Sequence, residues 1–390
     1  MAAALAAAQN PENRVILMER QARVGRKLQA TGNGRCNLSN YNAALDHYHG
    51  DAPEFAASAL EAFPVERTLA WFRELGLYTV AEETGRVYPY SDQANSVVDV
   101  LRFALHRENI EEKFGFEVTK LRRVEGGFSA ESGEESVFCH RVIVACGGLA
   151  GTKLGGSMAG YKLLRSLGHR CTKLRPALVQ LKSGWNGCVS LKGVRANCHV
   201  QILHDGALHA QSTGELQFTE YGLSGPVIFE VSRDACQGGN WSAQLDFLPG
   251  EPEEALRDEL RNRCRRELPV EDLLTGMLHN RLGRVLIQTA GIRGQRMANT
   301  LSAEELREIC RLIKGLELPL TETLGMDAAQ VTAGGIVTAE FEPTTLESRL
   351  VSGLYACGEV LDIDGDCGGY NLQWAWSSGH LAGKSAGGCL

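Results

Sequence analysis

The sequence has no apolar run long enough to cross a bilayer; even its alanine-rich start breaks at Gln9, Asn10 and Pro11. That start also lacks a preceding basic segment and a longer apolar core, so it does not have the pattern of a signal peptide. No C-x-x-C pair occurs among the 12 cysteines, which are scattered through 390 residues; reduced thiols in a cytoplasmic protein are expected rather than a disulfide framework. There is no H-x-x-x-H motif and no acid cluster, so no metal site is expected. A basic balance is missing too. With 47 acidic and 40 basic side chains the formal charge is -7, which disfavours a nucleic-acid partner because such proteins need cations to displace counterions from phosphates. Internal repeats and low-complexity tracts are likewise absent.

What the chain has in quantity is glycine: 44 of them beside only 11 prolines, with no collagen-like period, which places the excess in tight turns and ligand loops. The length allows two or three domains around a large core. From Met1 to Ala8 the chain reads as the last turns of a helix. A polar loop follows, then a buried parallel strand from Arg14 to Met18 with Glu19 at its tip. In a dinucleotide-binding βαβ unit an acid in that place holds the adenosine ribose hydroxyls. Such a unit begins with a strand and a G-x-G-x-x-G turn, neither of which precedes the helix here. The chain is therefore expected to lack roughly fifteen N-terminal residues, the size of one strand and one turn.

Gly25 to Asn40 (GRKLQATGNGRCNLSN) concentrates glycines, small polar residues and cations, and is expected to be a loop rather than a helix or a central strand. Ala52 to Gly76 reads as helices broken at Pro64. Tyr88 and Tyr90 then form a Tyr-Pro-Tyr loop that either lines a pocket or packs on the surface. Gly115 to Cys146 alternates in strand-like pieces and ends in a buried strand from Arg141 to Ala145, followed by Cys146, Gly147 and Gly148. A β-rich insert is expected over 171–250 and a helical insert over 251–318. These separate the two parts of one ligand-binding domain, 1–170 and 319–390.

In that last part a short strand (Gly353 to Ala356) leads to Gly358 and Glu359, a turn at Gly368 and Gly369, and a helix opening at Asn371. The order offers backbone N–H groups at a helix N-terminus to an electron-rich ligand. Cys36, Cys146, Cys357 and Cys367 fall near this inferred site, where packing is the commoner role of small cysteines. His169, after a helix-ending glycine, and His380, within the last helix, read as structural.

Taken together, ATGNGRCNLSN (Ala30 to Asn40), GRVYPYSDQA (Gly85 to Ala94), FTEYGLSGP (Phe218 to Pro226), VTAGGI (Val331 to Ile336) and GLYACGEVLDIDGDCGGYNLQWAWSSGHLAG (Gly353 to Gly383) resemble the BaiN/RdsA/aminoacetone-oxidase-like family of FAD-dependent flavoproteins. The resemblance implies an α/β fold, an FAD-binding Rossmann-like (two-dinucleotide-binding-domain) fold split by a β-barrel-like and a helical insert, with bound FAD. It implies that Glu19 and Arg20 meet the adenosine ribose region and Val118 the adenine. It assigns Lys27 and the run Thr31, Gly32, Asn33, Gly34, Arg35, Cys36 and Asn37 to the flavin and pyrophosphate. It adds Ala145, Gly147 and Gly148, then Gly358 and Glu359 at the ribityl and pyrophosphate region. Gly368, Gly369, Tyr370, Asn371 and Leu372 fall at the flavin's pyrimidine edge, where helix N–H groups stabilise the charge of the reduced ring.

The function so implied is hydride transfer between a small organic substrate and flavin, with NAD(P)H or oxygen as redox partner. Within the family this is either reduction of activated double bonds, as in bile-acid enones, or oxidation of an aminoketone with peroxide release. A truncated, non-catalytic or RNA-associated flavin-binding protein is the alternative. Tyr88, Tyr90, Tyr221 and Tyr370 are the candidate substrate contacts.

Overall fold

The computed structural model describes residues 1–389. Contacts divide the chain into two compact units, one made of Met1–Pro176 with the segment from Gln330 onward, the other of Ala177–Ala329.

The first unit is organised by two parallel strand pairs. Val15–Glu19 pairs with Ile110–Phe114, bringing Glu19 opposite Phe114, and Val142–Val144 pairs with Leu354–Ala356. Parallel strands need long crossovers, and the pieces joining these pairs supply them. A three-stranded antiparallel sheet of Lys120–Val124, Gly127–Ser132 and Glu135–Cys139 lies in the chain between the Ile110–Phe114 and Val142–Val144 strands. Beside them Ser39–Asn40, Arg86–Pro89 and Thr79–Ala81 make a second small antiparallel sheet.

The Gly25–Asn40 segment is not wholly a loop. Arg26–Ala30 forms a helical turn, opened by Gly25 at φ 86°, and Thr31–Gly34 follows as a 3₁₀ turn. The five residues RKLQA are all good helix formers, and the turn they make buries Leu28.

Two helices form the spine of this unit. Ala2–Ala7 is buried along its whole length. The helix Tyr370–Gly387, with Gly369 at its N-cap, is buried at most positions. The two meet through small residues. A Cβ on Gly383 would lie 2.3 Å from the Ala3 carbonyl oxygen, one on Gly379 3.3 Å from the Ala2 Cβ, and one on Gly387 3.0 Å from the Ala7 Cα. Glycine at every fourth position keeps one face of the long helix bare, so the backbones approach more closely than any side chain permits. Buried polar groups tie the same helix down: Trp376 Nε1 donates to the Leu38 carbonyl at 2.9 Å, and Gln373 Oε1 accepts from Ser39 Oγ at 2.7 Å.

The second unit is a closed barrel of six strands in the order 181–183, 222–224, 207–219, 195–204, 241–246 and 316–323. Burial alternates along its last two strands. Trp241, Ala243 and Leu245 point inward, as do Leu316, Leu318 and Leu320. The last strand comes after the helices Glu253–Arg263, Asn280–Thr289 and Ala303–Gly315, so the helical segment interrupts the barrel before its final strand. Ser302 and Glu305 form a capping box at the third of these helices.

Candidate active site

The carboxylate of Glu359 marks the centre of the candidate site. It lies in the short turn after the Leu354–Ala356 strand. Its Oε2 accepts from Lys27 Nζ at 2.8 Å and its Oε1 from the Thr332 N–H at 2.9 Å. Thr332 Oγ1 in turn accepts from the Ala150 N–H at 2.9 Å, and the Gly358 N–H donates to Ser378 Oγ at 3.0 Å. Gly148 is folded beneath this group, where a Cβ would come within 2.4 Å of Glu359 Oε1 and 2.5 Å of Thr332 Oγ1. Glycine at 148 thus serves the packing of the acid rather than leaving room for a ligand.

Other glycines are used in the opposite way. Gly34 (φ 88°), Gly147 (φ 70°), Gly155 (φ 117°) and Gly358 (φ 73°) all hold left-handed conformations, and a Cβ on any of them would meet nothing within 4 Å. Such backbone, bare and open, is suited to a ligand lying against it. Arg20 reaches this group, donating to the Gly155 carbonyl at 2.6 Å. Glu19 sits at its strand tip with Oε1 accepting from the Gln21 N–H at 2.9 Å.

The Tyr370–Gly387 helix begins without a side-chain cap, so no capping side chain stands between its positive end and an electron-rich ligand. Beside its N-cap, Asn37 Oδ1 is buried with no hydrogen-bond partner, an acceptor waiting for a donor. Tyr88 packs against the 31–37 turn, its Cε1 within 3.6 Å of the Cβ position of Gly32, and the Arg35 guanidinium lies 4.0 Å above its ring. Burial raises the Tyr88 phenol above its ordinary value, with Glu82 adding to the shift.

Of the remaining candidates, Thr31 uses its hydroxyl on the Leu28 carbonyl, and Asn33 is exposed in a left-handed turn at φ 56°. Cys36 and Cys357 are buried, and burial pushes each thiol up to about 12. They are neutral packing groups at physiological pH. Ala145 and the exposed Cys146 follow the Val142–Val144 strand, and Val118 packs against the buried core of the unit. Gly368 and Gly369 face protein: a Cβ on Gly369 would lie 2.3 Å from the Ser39 carbonyl oxygen. Asn371 spends its side chain on the preceding turn, accepting from the Gly365 N–H and donating to the Gly365 carbonyl, while Leu372 is partly buried. Tyr90 is 75% exposed, and Tyr221 belongs to the barrel unit, where its carbonyl accepts from the Ser183 N–H.

Several groups escaped sequence reasoning. Thr332 and Tyr161, whose hydroxyl donates to the Glu359 carbonyl at 3.4 Å, support the acid from distant segments. His47, His49 and Asp366 form a cluster whose signal in the sequence was two histidines two apart. His169 proves to be buried between Glu340 and Ser348, with Nδ1 3.0 Å from Glu340 Oε2 and Nε2 2.9 Å from Ser348 Oγ. Among the described residues no three His, Cys, Asp or Glu side chains are grouped to hold a metal ion, and no helix is long and apolar enough to cross a membrane.

The pattern of the HI0933-like protein Rossmann domain matches residues 1–385. The chain belongs to this family of FAD-dependent oxidoreductases. It is 38% identical to the 3-dehydro-bile acid delta(4,6)-reductase of Clostridium scindens, across 99% of this chain and 96% of that protein. The ribosomal RNA dihydrouridine synthase of Escherichia coli is 30% identical across 94% and 90% of the respective chains. Among solved structures, a variant of the E. coli quinol fumarate reductase FrdA aligns with a TM-score of 0.50 at 16% identity, covering 99% of this chain and 68% of that one, a likeness of fold.

The residues of the first unit fit FAD. The left-handed glycines at 34, 147, 155 and 358 leave backbone uncovered, and Asn37 Oδ1 offers an unused acceptor. Glu19, Lys27 and Glu359 would hold the polar body of the cofactor, and the uncapped helix would face its ring. Bound there, FAD supplies reversible hydride chemistry, while the chain supplies position and field.

Proposed function

We propose that this protein is an FAD-dependent reductase acting on a carbon–carbon double bond next to a carbonyl, in a small and largely apolar molecule, with NAD(P)H as electron donor. The observation that carries this reading is the end-to-end similarity to a bile-acid double-bond reductase, 38% over nearly both whole chains. The site is consistent with it. An uncapped helix N-terminus favours a ring that gains negative charge on reduction, and the surrounding carboxylate is neutralised by Lys27. Conjugation matters chemically, since a carbonyl beside the double bond accepts the charge that an arriving hydride displaces.

Action on ribosomal RNA is the second reading, favoured by the 30% identity to a dihydrouridine synthase. The formal charge of -7 argues against it, because an RNA substrate would have to be held without a general excess of cations. The test is anaerobic. FAD-loaded protein is reduced with NADH or NADPH, then mixed with steroid enones, with unmodified ribosomal RNA, or with aminoketones in air. Flavin reoxidation by an enone, with the saturated product formed, supports the proposal. Dihydrouridine formation or peroxide release without enone turnover overturns it, and a preparation that stays colourless with excess FAD removes every flavin-based reading.

A further inference from the structure

One polar cluster beside the long helix is made of none of the side chains named above as holding FAD. His47 ends a 3₁₀ turn, Leu45–His47, and the following Tyr48–His49 pairs antiparallel with Asp364–Gly365. This places one carboxylate between two imidazoles. Asp366 Oδ2 is 2.9 Å from His47 Nδ1, and its Oδ1 is 2.6 Å from His49 Nε2. The backbone reinforces the arrangement: the Asp366 N–H donates to the His47 carbonyl at 3.0 Å, and the Asp366 carbonyl accepts from Asn371 Nδ2 at 3.3 Å. Burial alone would raise the Asp366 carboxyl, but the hydrogen bonds from His49 and His47 outweigh it and hold the group below its ordinary value. It is an anion throughout the neutral range.

The His47 ring also stacks on Tyr370, with centroids 4.4 Å apart and planes 22° from parallel. Tyr370 is the first residue of the uncapped helix, and Tyr48 fixes it from the other side by donating its hydroxyl to the Tyr370 carbonyl at 3.2 Å. His47 is therefore held at three points: its backbone carbonyl, its Nδ1 and its ring face. With Nδ1 bound to a carboxylate, the exchangeable proton position is Nε2, on a side chain that remains 32% exposed. A structural histidine in this family of contacts would be buried and satisfied at both nitrogens, as His169 is.

We propose that His47 is the proton donor of the reaction and that Asp366 is its positioning residue. The proposal rests on the double-bond reductase reading given above. Saturation of a conjugated C=C bond needs two electrons and two hydrogens. A hydride from the reduced cofactor forms the C–H bond at the β carbon, and the π electrons move onto the α carbon and carbonyl oxygen. The His47 Nε2–H bond then breaks and a C–H bond forms at the α carbon, with the N–H pair remaining on the now neutral imidazole. Asp366 holds the ring by Nδ1 so that Nε2 is the nitrogen left to deliver the proton, and water returns it afterwards.

A nitroalkene separates the two halves of this reaction, because hydride addition to it leaves a nitronate that is stable until protonated and absorbs in the ultraviolet. Reduced, FAD-loaded wild-type protein is expected to reoxidise with a nitroalkene and release nitroalkane. In His47→Gln the flavin should reoxidise within about twofold of the wild-type rate, while the nitronate accumulates and its protonation slows by about 100-fold. Asp366→Asn should show a smaller accumulation. Its imidazole ¹⁵N spectrum, recorded on the full chain without substrate, should lose the hydrogen-bonded Nδ1–H signal of His47, a readout that a merely structural aspartate would not share with the nitronate yield. Nitroalkane as sole product from His47→Gln, at the wild-type rate, overturns the proposal while leaving the reductase reading intact. Failure of the wild-type protein to reduce any activated alkene overturns that reading, and this one with it. If His47→Gln does not retain FAD, Asp366→Asn decides: wild-type nitronate turnover together with a lost Nδ1–H signal overturns the role assigned to the pair.

Discussion

Two glycine-rich regions of the same unit use the residue for opposite ends. Along the Tyr370–Gly387 helix, Gly379, Gly383 and Gly387 are filled space, pressed against the buried Ala2–Ala7 helix so closely that a Cβ has nowhere to go. The glycines at 34, 147, 155 and 358 are open space instead, holding left-handed backbone with nothing against it. The first set is a matter of packing and the second of access. Composition alone does not tell them apart, and a substitution at each should.

The largest effect belongs to the filled set. Gly383→Leu forces a side chain into the Ala3 carbonyl and should destabilise the fold by ~3 kcal/mol or more, read as loss of cooperative urea unfolding or a large fall in its midpoint. If Gly383→Leu unfolds with a wild-type midpoint, the close helix contact is wrong.

Next comes a pH effect in the same helix. His380 stacks on Phe63, centroids 4.0 Å apart, and burial, helped by Lys384 and Arg67, lowers its imidazole from 6.5 to about 4. Above pH 6.5 the ring is neutral folded or unfolded and contributes no pH dependence. As pH falls from 6.5 towards 4 the unfolded chain takes up the proton first, so stability should fall by up to about 3 kcal/mol and then level off. Unfolding free energies measured across that window should lose most of this slope in His380→Gln, and an unchanged slope would place the titration elsewhere.

The open set should respond more mildly in stability and more sharply in binding. Gly358→Ala strains a left-handed position by about 1–2 kcal/mol without meeting a neighbour, so the protein should fold. Its FAD affinity, followed by flavin fluorescence, should nonetheless drop by about tenfold or more, since each 1.4 kcal/mol is a factor of ten. Lys27→Met should cost well under ~1 kcal/mol of apo stability, because the pair it forms with Glu359 is partly solvated. A stability loss larger than that of Gly358→Ala would show the ion pair to be structural instead. Smallest of all, Tyr90→Phe should leave stability and turnover unchanged, as the side chain is 75% exposed.

These contrasts also measure how far the sequence could be read. The strand ending at Glu19, the strand entering Gly358 and Glu359, and the glycine-led helix after it were legible because each is local: an apolar run, a turn and a periodic stretch within a dozen residues. The RKLQA turn was obscured by its glycine-rich flanks. The final barrel strand lay just past three helices, although LELPLT alternates as a strand should. Tyr90 and Tyr88 stand two residues apart in one motif, yet Tyr88 lies inside the strand Arg86–Pro89 and is buried against the 31–37 turn, while Tyr90 falls just past the strand's end and is exposed.

By itself, then, the chain determined its class and its family motifs, since these follow from composition and short-range pattern. Only the tertiary structure decided that Gly148 shelters Glu359 while Gly147 stays open, that Lys27 closes on a carboxylate more than three hundred positions away, and that His47 and His49 share Asp366. Each of those pairings joins segments brought together by burial of the two central helices, and no local pattern encodes a contact whose partners meet only once the core has closed.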